Sequence, residues 1–178
     1  MLERRSALAS ARPYKSSVLV IGEARGFTLT QVAGLDADFE KNLASTVGEL
    51  PARVGIVNEH AGRSVMRIGP SQFWIIGPET DDLTASLQGR CAVTPLTHSR
   101  TRIAIEGPPA RDVLAKGIPL DFHPMAFAPG MFAMTGLHHT PVTVHCVAAS
   151  RFEIYAMRTF ALNLWEWFTD AAREFAER

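Results

Sequence analysis

Six histidines, two cysteines and a short group of arginines are the side chains with the widest chemical reach in this chain. The histidines are His60, His98, His123, His138, His139 and His145. A zinc-protease helix needs two histidines four residues apart on one face, and no pair has that spacing. His138 and His139 are adjacent, so they point to opposite sides of a strand or lie in a turn. His145 alternates with Thr143 in VTVHCV and falls on the more polar side of that strand. A metal site built from His138, His145 and Cys146 is conceivable, against ordinary surface or half-buried histidines; no metal ligand is assigned. Cys91 and Cys146 form no C-x-x-C pair and no disulfide framework, which suits free thiols in a reducing cytoplasm. Arg100, Arg102, Glu106 and Arg158 offer a second chemistry. Arg100 and Arg102 lie on one side of a strand, where two arginines and a carboxylate either hold an anion or form cross-strand ion pairs. Glycine-rich nucleotide loops and a G-x-S-x-G elbow do not occur, and no nucleophile, base and orienting group stand at a telling spacing. No catalytic or cofactor-binding residue is assigned.

Eighteen basic and eighteen acidic residues cancel among the 178. A neutral chain has no general pull on nucleic acid or anionic membrane, and no apolar run reaches membrane-spanning length. Residues 1–24 differ from the rest. Their first seventeen hold Arg4, Arg5, Arg12 and Lys15 against Glu3 alone. They read as an arm, disordered or docked on a partner, with an organelle transit peptide as a third option.

The elements that must carry these side chains come in a repeated order. FTLTQVAG (27–34) reads as a strand, and DADFEKNLASTVG as a helix with Phe39, Leu43 and Val47 on one face and Gly48 as its stop. RVGIVNE (53–59), RSVMRIG (63–69) and QFWIIG (72–77) are three strands between turn signals. A helix near Thr80 follows, with Leu83 and Leu87 inward and Gly89 at its end. The second half repeats the plan: strand RTRIAIEG (101–107), helix PPARDVLAKG (108–117), strands MFAMTG (131–136), VTVHCV (142–147) and RFEIYA (151–156), then a helix in YAMRTFALNLWEWFTDAAREFAER. SQFWIIG from Ser71 resembles SRFEIYA from Ser150, aligning Phe73 with Phe152 and Leu83 with Leu162. The fold class is therefore α+β in one domain, 25–178. It has two similar strand–helix–three-strand–helix halves (about 25–95 and 96–178) and a pseudo-twofold relation.

On the closing helix, Met157, Phe160, Ala161, Leu164, Phe168, Ala171, Ala172 and Phe175 fall on one face. Asn163, Glu166, Asp170, Arg173, Glu174 and Glu177 fall opposite. Trp165 and Trp167 stand at the edges of the apolar stripe. They either cap the core or anchor a protein interface, where tryptophan is enriched. The loop DFHPMAFAPGM (121–131), with Phe122, Met125, Phe127 and Met131, is either tucked under the domain or offered to a partner. Trp165, Trp167, Phe122, Met125 and Phe127 are the candidate partner contacts.

Three segments, LTHSRTRIAIEGPPARDVLAKGIPLDFHP (96–124), IGPSQFWIIGP (68–78) and YAMRTFALNLWEWFTDAAREF (155–175), resemble the gamma subunit of heterotetrameric sarcosine oxidase. The likeness extends over most of 27–176, with Thr159 standing where the family usually has serine. The resemblance implies kinship with the first domain of folate-dependent aminomethyltransferases, whose two α+β halves exchange strands. It implies a cytoplasmic, non-catalytic subunit supporting oxidative demethylation of sarcosine to glycine. The products would be hydrogen peroxide and formaldehyde or methylene-tetrahydrofolate. It also implies alpha, beta and delta partner subunits that carry FAD, FMN, NAD, tetrahydrofolate and zinc. Two alternatives stand beside it: an independent folate- or pterin-binding module using Glu106 or Asp121 for the pterin ring, and a standalone enzyme of other activity.

Overall fold

Phe39, Leu43 and Val47 recur every fourth residue, and a segment with that spacing buries one helical stripe. In the computed structural model, which describes residues 5–34, 36–81 and 83–176, they lie buried along α1 (Phe39–Val47). Gly48, at φ 90°, ends that helix in a conformation that favours glycine. The chain divides into two compact units, one formed by residues 26–98. In it, β3 (Phe27–Ala33) precedes α1, and β4 (Val57–His60), β5 (Arg63–Gly69), β6 (Gln72–Pro78), α2 (Leu83–Leu87) and β7 (Ala92–Pro95) follow. Its antiparallel sheet runs β4-β5-β6-β3-β7. The three helical residues pack with Val32, Val65, Phe73, Ile75, Leu83 and Leu87. Arg67 spans this core, donating two hydrogen bonds of 2.7 Å to the Glu40 carboxylate while its guanidinium lies 4.6 Å from the Phe73 ring centre. β4 is shorter than the run 53–59 suggested, because Gly55 at φ 89° turns the chain just before it.

The other unit joins the described residues up to Arg25 with those from Ser99 onward. It contains β1 (Tyr14–Lys15), β2 (Val20–Glu23), β8 (Arg100–Glu106), α3 (Ala110–Ala115), β9 (Met131–Leu137), β10 (Thr140–Ala148), β11 (Arg151–Met157) and α4 (Ala161–Ala171). Its sheet runs β9-β10-β11-β8-β2-β1, again antiparallel. The closing helix is shorter than its apolar pattern: Tyr155–Met157 complete β11, and a 3-10 turn covers Arg158–Phe160. Met157 and Phe160 precede the helix and are exposed rather than on its buried stripe, whereas Ala161, Leu164, Phe168, Ala172 and Phe175 are buried. Burying a ring such as Phe168 contributes roughly 1.5–3 kcal/mol, so this stripe fixes the helix on its sheet. Glu177, expected on the polar side, and Glu3 and Arg4 of the arm lie outside the described residues.

Residues 5–24 are folded into this unit rather than standing off as an arm. Leu8, Leu19 and Ile21 join the core, β2 pairs with β8, and the Tyr14 hydroxyl donates to the Ala172 carbonyl at 3.1 Å. Three apolar side chains within fifteen residues supply the burial that offsets the ordering entropy.

The expected repeat is present in the connectivity. Each half runs strand, helix, three-strand meander, helix, and its first strand pairs with the last strand of its own meander. The short strands are exchanged. β2, which precedes β3 in the chain, pairs with β8; β7, which precedes β8, pairs with β3. Both meanders also carry an irregularity at matching places, between Arg67 and Gly69 and between Cys146 and Ala148. Phe73 and Phe152 are both buried, but Leu83 is buried and Leu162 exposed, so that part of the sequence match does not extend to packing.

Candidate functional site: a buried polar network and a clamped loop

Residues two apart on a strand share a face, and the register of β8, β11 and β10 gathers polar groups on one. Arg102 stands opposite Tyr155, Glu153 opposite His145, and Tyr155 opposite Thr143. The Tyr155 hydroxyl donates to Glu153 Oε2 at 2.8 Å, and Arg102 donates to the same oxygen at 3.3 Å. Arg102 also donates to the carbonyls of Ala24 at 3.3 Å and Arg25 at 3.4 Å, which ties β8 to the end of the N-terminal segment. Burial, reinforced by the Glu153 charge, pushes the Tyr155 phenol well above its ordinary range. It is a neutral donor here.

His145 is only 3% exposed, and its Nδ1 has no hydrogen-bond partner among the described residues. Burial drives its pKa down from 6.5 to about 4; Glu153 opposes the shift and Arg102 adds to it. The imidazole is thus neutral at physiological pH. It lies on the polar side of its strand, as the alternation with Thr143 predicts, but far deeper than a surface or half-buried histidine. The conceivable metal set does not assemble. Cys146, next to His145, faces the opposite side of the sheet in the apolar core, and His138 sits at the β9–β10 turn against the Trp167 ring at 5.8 Å. Among the described residues, no group of three potential ligands comes together.

The arginine and carboxylate set resolves into pairs. Glu106 faces Arg151 across the sheet at 3.3 Å, and Arg158 donates to the Arg5 carbonyl. Arg100 donates to the Ser99 hydroxyl at 3.0 Å. Asp121 accepts the His123 backbone N–H at 2.8 Å. Glu106 and Asp121 are both exposed, whereas recognition of a pterin ring needs a carboxylate walled by a pocket. These two residues do not fit that task.

The aromatic candidates divide cleanly. Phe122 and Phe127 are buried, edge to face with each other at 5.8 Å, and both pack on Phe152. Met125 between them is 89% exposed. Trp165 is 6% exposed and borders a cavity of about 230 Å³ shared with Leu8, Pro13, Glu23 and Arg25 of the N-terminal segment. Trp167 is half-buried, edge-on to Phe168 at 5.3 Å. It rests where only glycine fits, since a Cβ on Gly117 would come within 2.4 Å of its ring.

Arg111 organises the loop, a role not assigned from the sequence. From α3 it donates to the carbonyls of Phe122 at 2.6 Å, Phe127 at 2.9 Å and Ala149 at 3.1 Å, and its guanidinium lies 5.0 Å from the Phe152 ring centre. A planar fork of five donors suits three converging carbonyls and an aromatic face. The available signal was an arginine on a short helix that precedes an apolar loop.

The sarcosine oxidase subunit gamma of Corynebacterium sp. (strain U-96) is 31% identical over an aligned 189 residues, covering 97% of this chain and 92% of that protein. That of Corynebacterium sp. (strain P-1) is 33% identical over 141 residues, covering 75% of this chain and 70% of that protein. The chain belongs to the sarcosine oxidase gamma subunit family. No family model matches the sequence. A chain in the structure of heterotetrameric sarcosine oxidase from Corynebacterium sp. U-96, in complex with pyrrole 2-carboxylate, superposes with a TM-score of 0.87 at 27% identity. The match covers 98% of this chain and 97% of that one. The glycine cleavage system aminomethyltransferase T from Bartonella henselae shares the fold, with a TM-score of 0.65 at 18% identity over 86% of this chain and 46% of that one. The α+β aminomethyltransferase-like architecture expected from the sequence is therefore the one observed. No helix among the described residues is long and apolar enough to cross a membrane.

Proposed function

We propose that this chain is the gamma subunit of a cytoplasmic, heteromeric sarcosine oxidase, and that it supports the reaction without supplying its chemistry. The observation that carries this reading is the near end-to-end likeness to a chain of a heterotetrameric sarcosine oxidase, joined to 31% identity over 97% of the sequence. In this reading alpha, beta and delta subunits surround the chain and hold FAD, FMN, NAD, tetrahydrofolate and zinc. The assembly removes the methyl group of sarcosine, yielding glycine, hydrogen peroxide and formaldehyde or methylene-tetrahydrofolate. The internal engagement of the polar network supports a structural role, because Glu153, Tyr155 and Arg102 are bonded to one another. Of the candidate contacts, Met125 and the open edge of Trp167 are the ones this fold leaves accessible; Trp165, Phe122 and Phe127 serve its own core.

Co-purification from the native cell under mild salt tests the reading. Flavin-bearing subunits eluting with the tagged chain in fixed ratio are the expected result. Elution of the chain alone, holding a folate, would instead establish an independent folate-binding module.

A further inference from the structure

Among the described residues each sheet has two outer strands, and three of these four are protected against pairing with another chain. β1 is two residues long, β4 carries Glu59 and His60, and β7 has four residues and ends at Pro95. Short length, charge and proline are the devices that block edge pairing. β9 has none of them: MFAMTGL is seven residues without charge or proline.

The register shows which of its backbone groups face outward. Leu137 and Thr140 flank the two-residue turn His138–His139 as a hydrogen-bonded pair, while Pro141, which has no N–H, stands opposite Gly136. Alternation then turns the N–H and C=O groups of Phe132, Met134 and Gly136 away from β10 and toward the open edge. The Met134 side chain is itself exposed.

We propose that β9 is a docking edge for an extended, uncharged segment of another subunit, which adds a strand to the β9-β10-β11-β8-β2-β1 sheet. Three successive outward pairs of donor and acceptor repeat at the spacing of an extended backbone, and that match gives the occupant's conformation. The lack of charge along the edge fixes its polarity. The proposal rests on the subunit reading above, which makes the chain's neighbours unlike subunits.

Hydrogen exchange on the free chain and on the co-expressed complex is the direct test. The amides of Phe132, Met134 and Gly136 are expected to exchange at least about tenfold more slowly in the complex. Met134→Pro removes one outward N–H, and Met134→Lys puts a charge on the edge without touching the backbone. Each is expected to weaken retention of the chain by the other subunits by about tenfold or more. Co-purification with equal exchange rates in both samples overturns the docking edge and leaves the subunit reading intact. Wild-type retention of Met134→Lys does the same, and stands even if Met134→Pro fails to fold. Concentration-dependent protection in the free chain would assign the edge to a second copy and also overturn the proposal. Failure to co-purify at all overturns the subunit reading, and the docking edge falls with it.

Discussion

Acidification is the perturbation to which the buried histidine responds most strongly. His145 has a folded pKa of about 4 against 6.5 for an unhindered imidazole, because burial disfavours its charged form. The unfolded chain therefore binds a proton more readily than the native one. The stabilisation is fully present above the unfolded value and is lost as pH falls from 6.5 through about 4. Integrating the linkage between about pH 7.5 and about pH 5 gives a loss of about 2 kcal/mol from this residue. For a chain of this length that is a fall in Tm of about 4–8 °C. The assay compares thermal unfolding at both pH values for wild type and His145→Gln, so that contributions from other groups cancel. The pH-dependent drop in the variant is expected to be smaller by that amount, whatever its absolute stability. NMR titration of the imidazole gives a direct reading, with no protonation expected above about pH 5. A His145 midpoint at or above about 6, or equal pH dependence in both proteins, refutes the reasoning.

Two further substitutions probe the packing. Arg111→Met removes the donors to the Phe122, Phe127 and Ala149 carbonyls. It is expected to cost about 3 kcal/mol and to raise proteolysis between Asp121 and Met131. A Tm within about 2 °C of wild type would show that the loop stands without its clamp. Gly107 has φ 141°, and a Cβ there would fall 2.0 Å from the Val18 carbonyl oxygen. Gly107→Ala is therefore expected to destabilise by roughly 2–4 kcal/mol and to speed amide exchange in β2, the docked part of the N-terminal segment. Unchanged exchange there would place the strain elsewhere.

Local pattern was enough for much of the fold. Phe39, Leu43 and Val47 announced α1 because helical period and burial coincide within one element. The meander strands lay between turn signals, so the repeated order of strand, helix, three strands and helix could be read along the chain. The strand exchange was not readable from spacing; it entered only as an implication of the family resemblance. β2 and β7 are short, and which sheet receives them depends on the exposed edges of β8 and β3, far away in sequence.

The candidate site shows the same division. Alternation in VTVHCV placed His145 with Thr143, because side chains alternate along any strand. Its depth, its neutral state and its place beside Glu153 and Tyr155 arise from cross-strand register and burial, which no stretch of nearby sequence encodes. Phe122, Met125 and Phe127 looked equivalent as apolar letters in one loop. Only the Arg111 clamp and the Phe152 ring decide that two of them turn inward and the methionine outward. By itself the sequence determined most element types and the buried stripe of α1, which short-range periodicity carries, and the family through the resemblance of three segments. Tertiary structure alone decided burial, ionisation and which sheet edge stays open, because those depend on groups distant in sequence meeting in space.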